Sequence, residues 1–260
     1  KTLGNTFVLS VAFFLFCIGS VSGQDVSTYT PLITSGTYTN VTGTSILGNV
    51  DDGNSGATNI GFTFNLGGQD FTQFVANSNG HIRLGATATT SSYSPLSTTS
   101  NTYSISAAGR DGASTGGVIH TVTGSAPNRV CVIQYTGYRL RYNATTATVS
   151  FQIRLYETTN VVEIIYNSAV GNTTDRSAQV GIRGTSTTAD TRNFSGTSSG
   201  WAALTAGTNS ATASWLSTSM PSNGRILRWS PPVVAASSGT PKSGTATISS
   251  ESGCNGNTFS

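Results

Sequence analysis

Phe151-Gln152-Ile153-Arg154-Leu155-Tyr156-Glu157-Thr158-Thr159-Asn160-Val161-Val162-Glu163-Ile164-Ile165-Tyr166 is the stretch whose reading decides the fold. Apolar Phe151, Ile153 and Leu155 alternate with polar Gln152 and Arg154, the period of a strand with one buried face and not of a helix. Folding the stretch back on itself about Thr158-Thr159 pairs residues whose numbers sum to 317. Phe151 then lies opposite Tyr166, Ile153 opposite Ile164 and Leu155 opposite Val162, which makes one apolar face. The other face sets Arg154 against Glu163, an opposite-charge cross-strand pair. A one-residue slip destroys both matches, so the sequence specifies its own register.

The same period recurs outward along the chain. Ile60, Phe62, Phe64 and Leu66 alternate with small or polar residues, Gly67-Gly68 reads as a tight hairpin turn, and Phe71 to Ala76 returns as the partner strand. Asn77-Ser78-Asn79-Gly80 is a second turn, leading to Ile82 and Leu84. Further strands are expected over 118–123, 130–138, 147–156, 161–166, 178–183 and 225–229, with a long Ser/Thr-rich loop over 86–101 and another hydroxyl-rich loop over 184–200. Only 9% of the residues are charged, against roughly 25% in an average globular chain, too few to coat amphipathic helices. Ser and Thr, about three residues in ten, suit strand faces and turns. The expected fold is all-β: a two-sheet antiparallel β-sandwich, jelly-roll-like, over residues 24–233, a size that one sandwich domain can hold.

The ends read differently. Lys1 precedes the apolar run Phe7 to Ile18 and the small residues Gly19 to Gly23, the order of a secretory signal peptide over 1–23, too short to span a bilayer. The chain begins with Lys, and its true start is expected upstream. Removal of the signal leaves no expected membrane span and places the protein outside the cell or on its outer surface. Pro231-Pro232 ends the sandwich, 234–244 reads as a linker, and 245–260 as the truncated start of an immunoglobulin-like β domain. Cys17 leaves with the signal, Cys131 sits in an apolar run as a buried free thiol, and Cys254 pairs beyond this stretch or with Cys131. With two lysines and 11 scattered arginines, the formal charge of +3 is too thin to recruit nucleic acid.

The catalytic inventory is sparse. His81 and His120 are the two histidines, and they do not form a pair at metal-ligand spacing. There is no phosphate-cradling glycine loop ending in Lys-Ser or Lys-Thr. Glu157 and Glu163 are the one close carboxylate pair a glycosidase could use, but a turn position for Glu157 and an ion pair for Glu163 with Arg154 explain them structurally. No cofactor is expected. Calcium is the alternative, at Asp51, Asp52 and Asn54 in Asp-Asp-Gly-Asn-Ser-Gly, although the full spacing of a calcium loop is missing. Trp229 alternates with Leu227 and is expected in the core, whereas Trp201 and Trp215, among Ser, Gly and Ala, are candidate ligand-binding aromatics that could stack on sugar rings. Asn40, Asn143, Asn172 and Asn193 carry glycosylation sequons.

Gly61-Phe62-Thr63-Phe64, Gly68, Phe71-Thr72 and Asn79-Gly80-His81-Ile82-Arg83-Leu84-Gly85 resemble the opening β-sandwich domain of large cell-surface proteins of Bacteroidota. So do Ala108-Gly109-Arg110-Asp111, Ala126-Pro127-Asn128-Arg129-Val130 and Pro221-Ser222-Asn223-Gly224, and the likeness covers nearly the whole mature chain. The resemblance implies a domain ahead of fibronectin type III or immunoglobulin-like repeats, exported by the Sec and then the type IX route, and it transfers no catalytic residue. The expected function is a non-catalytic module of an adhesin or surface-fibre protein whose partners are a glycan, a surface protein or copies of itself. A carbohydrate-binding module of a larger secreted enzyme and an extracellular filament subunit are the alternatives. An isopeptide-cross-linked adhesin is disfavoured because Lys242 is the lone lysine of the mature chain.

Overall fold

The computed structural model describes residues 25–233 except 92, 146–147, 169–175, 188–189 and 208–209, so the expected signal, linker and second domain lie outside the described residues. A short 3-10 turn, Val26–Thr28, precedes β1 (Thr30–Ser35), β2 (Thr44–Leu47), β3 (Thr58–Leu66), β4 (Gln69–Asn77), β5 (His81–Leu84), β6 (Ser104–Gly109), β7 (Ala113–Ser114) and β8 (Val118–Thr123). There follow β9 (Val130–Arg139), β10 (Thr148–Tyr156), β11 (Val162–Ser168), β12 (Ser177–Arg183), β13 (Thr191–Ser195), β14 (Thr205–Gly207), β15 (Ala213–Ser214) and β16 (Arg225–Ser230).

These strands form two eight-stranded antiparallel sheets packed as a sandwich. The first runs β1-β16-β11-β10-β9-β8-β2 with β7 beside β9; the second runs β14-β13-β12-β6-β5-β4-β3 with β15 beside β12. The first and last long strands pair, from Thr30 with Ser230 to Ser35 with Arg225, so the domain closes on itself. In the decisive hairpin Phe151 pairs with Tyr166, Ile153 with Ile164, Arg154 with Glu163 and Leu155 with Val162. The turn is longer than two residues. The last ladder bond joins Tyr156 N–H to the Val161 carbonyl, and Thr158 (φ 65°) and Asn160 (φ 50°) take left-handed conformations in a four-residue loop. Gly67-Gly68 does form a two-residue turn, with Leu66 opposite Gln69 and φ of 60° and 79°, the mirror-image geometry that matches strand twist and that glycine adopts at least cost.

The core is the space between the sheets. Phe151, Ile153, Leu155, Ile164 and Tyr166 meet Ile60, Phe64, Ile82 and Ile105 there, all without solvent exposure. Three tyrosines of the first sheet cross this core and donate to backbone carbonyls of the second side: Tyr135 to Asn77 (3.0 Å) and His81 (2.8 Å), Tyr138 to Ala108 (3.0 Å) and Arg110 (2.9 Å), and Tyr166 to Ala107 (2.7 Å). A buried hydroxyl needs such a partner, and the carbonyls it finds fix the spacing of the two sheets.

Both sheets are also covered on their outer faces, which departs from simple alternation. On the second sheet the 86–101 loop lies across β5, β6 and β12: Leu96 N–H donates to Gln179 Oε1 (2.8 Å), and buried Arg183 donates to the Thr99 carbonyl (3.1 Å). Ser104 to Gly109 is therefore buried at every position, and a strand whose one large apolar residue, Ile105, stands among Ser, Ala and Gly gives little sequence signal. The expected 184–200 loop contains β13, whose Thr-Arg-Asn-Phe-Ser sequence shows no apolar period; its Phe194 packs on Trp229 at 5.2 Å between ring centroids.

Candidate functional site

On the first sheet, the strap 36–43 crosses β9 and β10. Gln152 donates to the Thr39 carbonyl (2.7 Å) and to Gln134 Oε1 (2.8 Å), and Val41 N–H donates to the same Gln134 oxygen (3.1 Å). The polar row continues across the strands. Arg154 donates to Gln152 Oε1 through Nε (3.0 Å) and Nη2 (2.6 Å) and to Glu163 Oε1 through Nη1 (3.1 Å); Tyr156 donates to the same Glu163 oxygen (3.0 Å). Arg228 stands 3.8 Å from Glu163 Oε2 and over the Tyr156 ring. A cleft of about 180 Å³ opens between the strap and this row. Its charges are matched inside the row, so it offers amide and aromatic contacts and no unpaired acid or base.

Glu157 is held equally firmly. Arg129 clasps it through Nε (2.8 Å), Nη2 (2.5 Å) and its own backbone N–H (3.0 Å), and reaches the Gly61 carbonyl of β3 through Nη1 (2.7 Å). Arg129 holds the carboxyl down to about 2. Both candidate glycosidase acids are thus committed to arginines. His81 is completely buried, with Nε2 at 3.1 Å from Thr89 Oγ1 and Nδ1 at 3.4 Å from the Asn79 carbonyl, and burial lowers its pKa to about 4. It is neutral at pH 7. His120 is half-buried and lies edge-on to Phe74.

The Asn-Ser-Asn-Gly-His turn organises the acidic loop. Asn79 donates to Asp52 Oδ1 (3.1 Å) and accepts from Gly112 N–H (3.1 Å), Ser78 Oγ accepts from Gly53 N–H (2.9 Å), and Asn77 donates to Asn54 Oδ1 (3.0 Å). Gly80, with φ 76°, passes so close to Ala108 that a Cβ would stand 2.6 Å from its carbonyl oxygen, so only glycine makes this turn. The third member of the expected calcium set changes: the Asn54 oxygen is taken by Asn77 and Thr89, whereas Asp111 joins Asp51 and Asp52, with ligand oxygens within 4.8 Å of one another. Burial first and then its two carboxylate neighbours raise the pKa of Asp51. The trio could hold a divalent cation, and exposed acids also cluster without one.

Trp201 and Trp215 require correction. Neither is exposed to solvent, and their rings pack edge-to-face at 4.7 Å and flank Tyr166 at 5.2 and 5.7 Å. Trp201 Nε1 donates to the Ser214 carbonyl (2.9 Å). Small surrounding residues signal close packing here, where bulky indoles fill the end of the sandwich, and not a surface platform. Among the described residues the exposed aromatics are instead Tyr93 (63%), on the 86–101 loop, and Tyr142 (40%). Cys131 is buried and free, and burial pushes its thiol up; a bridge to Cys254 falls outside the described residues. Of the sequons, Asn40 and Asn143 are exposed, Asn193 is buried and Asn172 lies outside the described residues.

A family model described as NIDO related matches residues 28–231, the whole run from the 3-10 turn through β16. The chain belongs to the NIDO-related family. No curated protein and no solved structure matches it. NIDO-related domains occur in extracellular proteins, and an all-β sandwich of this family is typical of non-catalytic modules. Among the described residues no helix is long and apolar enough to cross a membrane.

Proposed function

We propose that this NIDO-related domain is a non-catalytic attachment module of an adhesin or surface-fibre protein, at the outer cell surface or beyond it, binding a glycan or a surface protein, including copies of itself. The observation that carries the reading is the 86–101 loop: it is bolted to the second sheet by Leu96 on Gln179, by Thr89 on His81 and by the Asn101 carbonyl, which accepts from Ser104 Oγ, yet presents Tyr93 at 63% exposure among Ser and Thr hydroxyls. A rigid aromatic face beside hydrogen-bonding groups costs little entropy when a sugar ring or a partner surface settles on it. Single sites of this kind bind weakly, and many copies on a surface supply avidity. The commitment of Glu157 and Glu163 to arginines supports binding without turnover. Export through the Sec and type IX route belongs to the same proposal and rests on the resemblance to Bacteroidota surface proteins.

The test is a panel of neutral and acidic polysaccharides, together with self-association, measured on the full chain and on Tyr93→Ala. Binding or self-association that falls in the variant supports the reading. Product release abolished by Glu157→Gln would make the domain an enzyme, and no binding to any glycan or to itself would leave it a spacer.

A further inference from the structure

Arg110, Arg141 and Arg176 converge with Asp111 on a recess of about 130 Å³ where the ends of β6, β9 and β12 meet. Three of the chain's 11 arginines share this one depression. Among the described residues the ion pairs are Arg129–Glu157, Arg154–Glu163 and Arg228–Glu163, so Arg110 and Arg141 are outside every one of them. Arg110 is aimed by one bond, Nη1 to the Ser177 carbonyl (2.9 Å), and its backbone is fixed by Tyr138, whose hydroxyl donates to the Arg110 carbonyl. Arg141 is exposed, and Tyr142 beside it donates its N–H to the Asp111 carbonyl (3.0 Å) and leaves its ring 40% exposed.

We propose that this recess binds the anionic group of an acidic polysaccharide, a sulfate ester or a uronate carboxylate. The inference rests on the attachment reading and names a ligand class and a second site for it, away from Tyr93. Guanidinium forks match planar and tetrahedral oxyanions in pairs of hydrogen bonds, and gathering three of them is favourable when an anion shares the site. At about 130 Å³ the recess has room for one such group. Asp111 adds an acceptor for a neighbouring hydroxyl, which a polysaccharide has and a bare oxyanion lacks. A lipid surface is the poorer fit, because membrane docking draws on roughly four to eight basic residues spread over a face, and here three sit in a recess on a chain of formal charge +3.

Titration of the full chain with dextran sulfate, polygalacturonate, neutral dextran and phosphatidylserine vesicles decides it. Dextran sulfate or polygalacturonate should bind, with an affinity that falls as salt rises, and the two arms separate sulfate from carboxylate recognition. Arg141→Gln, which removes no internal hydrogen bond among the described residues, should weaken binding roughly tenfold with an unchanged unfolding temperature. Arg141→Lys should recover only part, since lysine offers a point charge and no fork. Equal binding of neutral dextran, or acidic-polysaccharide binding untouched by Arg141→Gln and Arg141→Glu, would overturn the site while leaving attachment through Tyr93 intact. Binding to vesicles alone would overturn it in favour of a membrane surface, and binding to none of the four probes would overturn it outright.

Discussion

Glu157 shows how a single residue ties two sheets together and how pH reports it. Arg129 bonds Glu157 on one side and the Gly61 carbonyl of β3 on the other, so the ion pair also holds the β10–β11 loop against the edge of the opposite sheet. The folded-state value is held down to about 2 from an ordinary value near 4.5, so this stabilisation is present above about 4.5 and is lost as pH falls toward 2. Urea midpoints of the wild type and Glu157→Gln should therefore differ at pH 7 and converge over that acid window; a gap that persists at pH 2 would mean that packing, and not charge, made the difference. The tyrosine bolts give a second test. Tyr135→Phe leaves the Asn77 and His81 carbonyls without a shared donor and should cost about 1–3 kcal/mol in denaturant unfolding, with the larger figure marking burial of both acceptors. Neither role was legible in the sequence, because a tyrosine in an alternating strand announces burial and says nothing of the carbonyl its hydroxyl will meet. Trp201 and Trp215 misled for a related reason: flanking Ser, Gly and Ala read as surface, whereas in the fold they make room for indoles.

At the scale of elements, the hairpin β10–β11 was fully readable in register, because its apolar face and its charge pair independently demand the same alignment. Its loop was not, because the same pairing sum accommodates a two-residue or a four-residue connection. The pair sits inside a row in which Arg154 also serves Gln152 and Glu163 also faces Arg228. Either single charge reversal, Arg154→Glu or Glu163→Arg, should therefore destabilise strongly. The double reversal should recover a coupling of about 0.5–3 kcal/mol, short of the wild type because the arginine introduced in place of Glu163 would confront Arg228. A double-mutant cycle in urea measures this, and zero coupling would mean that the two groups act apart. Of the strands that escaped the sequence, β6 is covered on both faces, so no polar face alternates to reveal it, and β13, Thr191–Ser195, carries Phe194 as its one large apolar residue and so shows no apolar period. The Arg110-Asp111 dipeptide was visible as a motif, but its chemistry depends on Arg141 and Arg176, which only the meeting of three strand ends brings close.

For the whole molecule, the two sheets share one core and the terminal strands β1 and β16 pair along their length, so no part of the domain has an independent reason to persist when the rest unfolds. Residues 24–233 should unfold in a single transition by heat, with calorimetric and van't Hoff enthalpies in agreement. Reductant should leave that transition in place, since Cys131 is free and buried. The Asp51-Asp52-Asp111 trio makes the metal question a matter of sign. If the acids stand bare, their mutual repulsion contributes to the raised pKa of Asp51, and Asp51→Asn removes like-charge repulsion and should leave the unfolding temperature equal or slightly higher. If a divalent cation bridges them, the same substitution deletes a ligand and must lower it, and chelator must lower the wild type by a matching several degrees, because an ion that binds only the folded state stabilises it by mass action. We expect the first outcome: coincident melts with and without chelator, and no loss in Asp51→Asn. A drop in both measurements would assign a structural cation to this loop and would make the buried Asn77-Ser78-Asn79 turn its support.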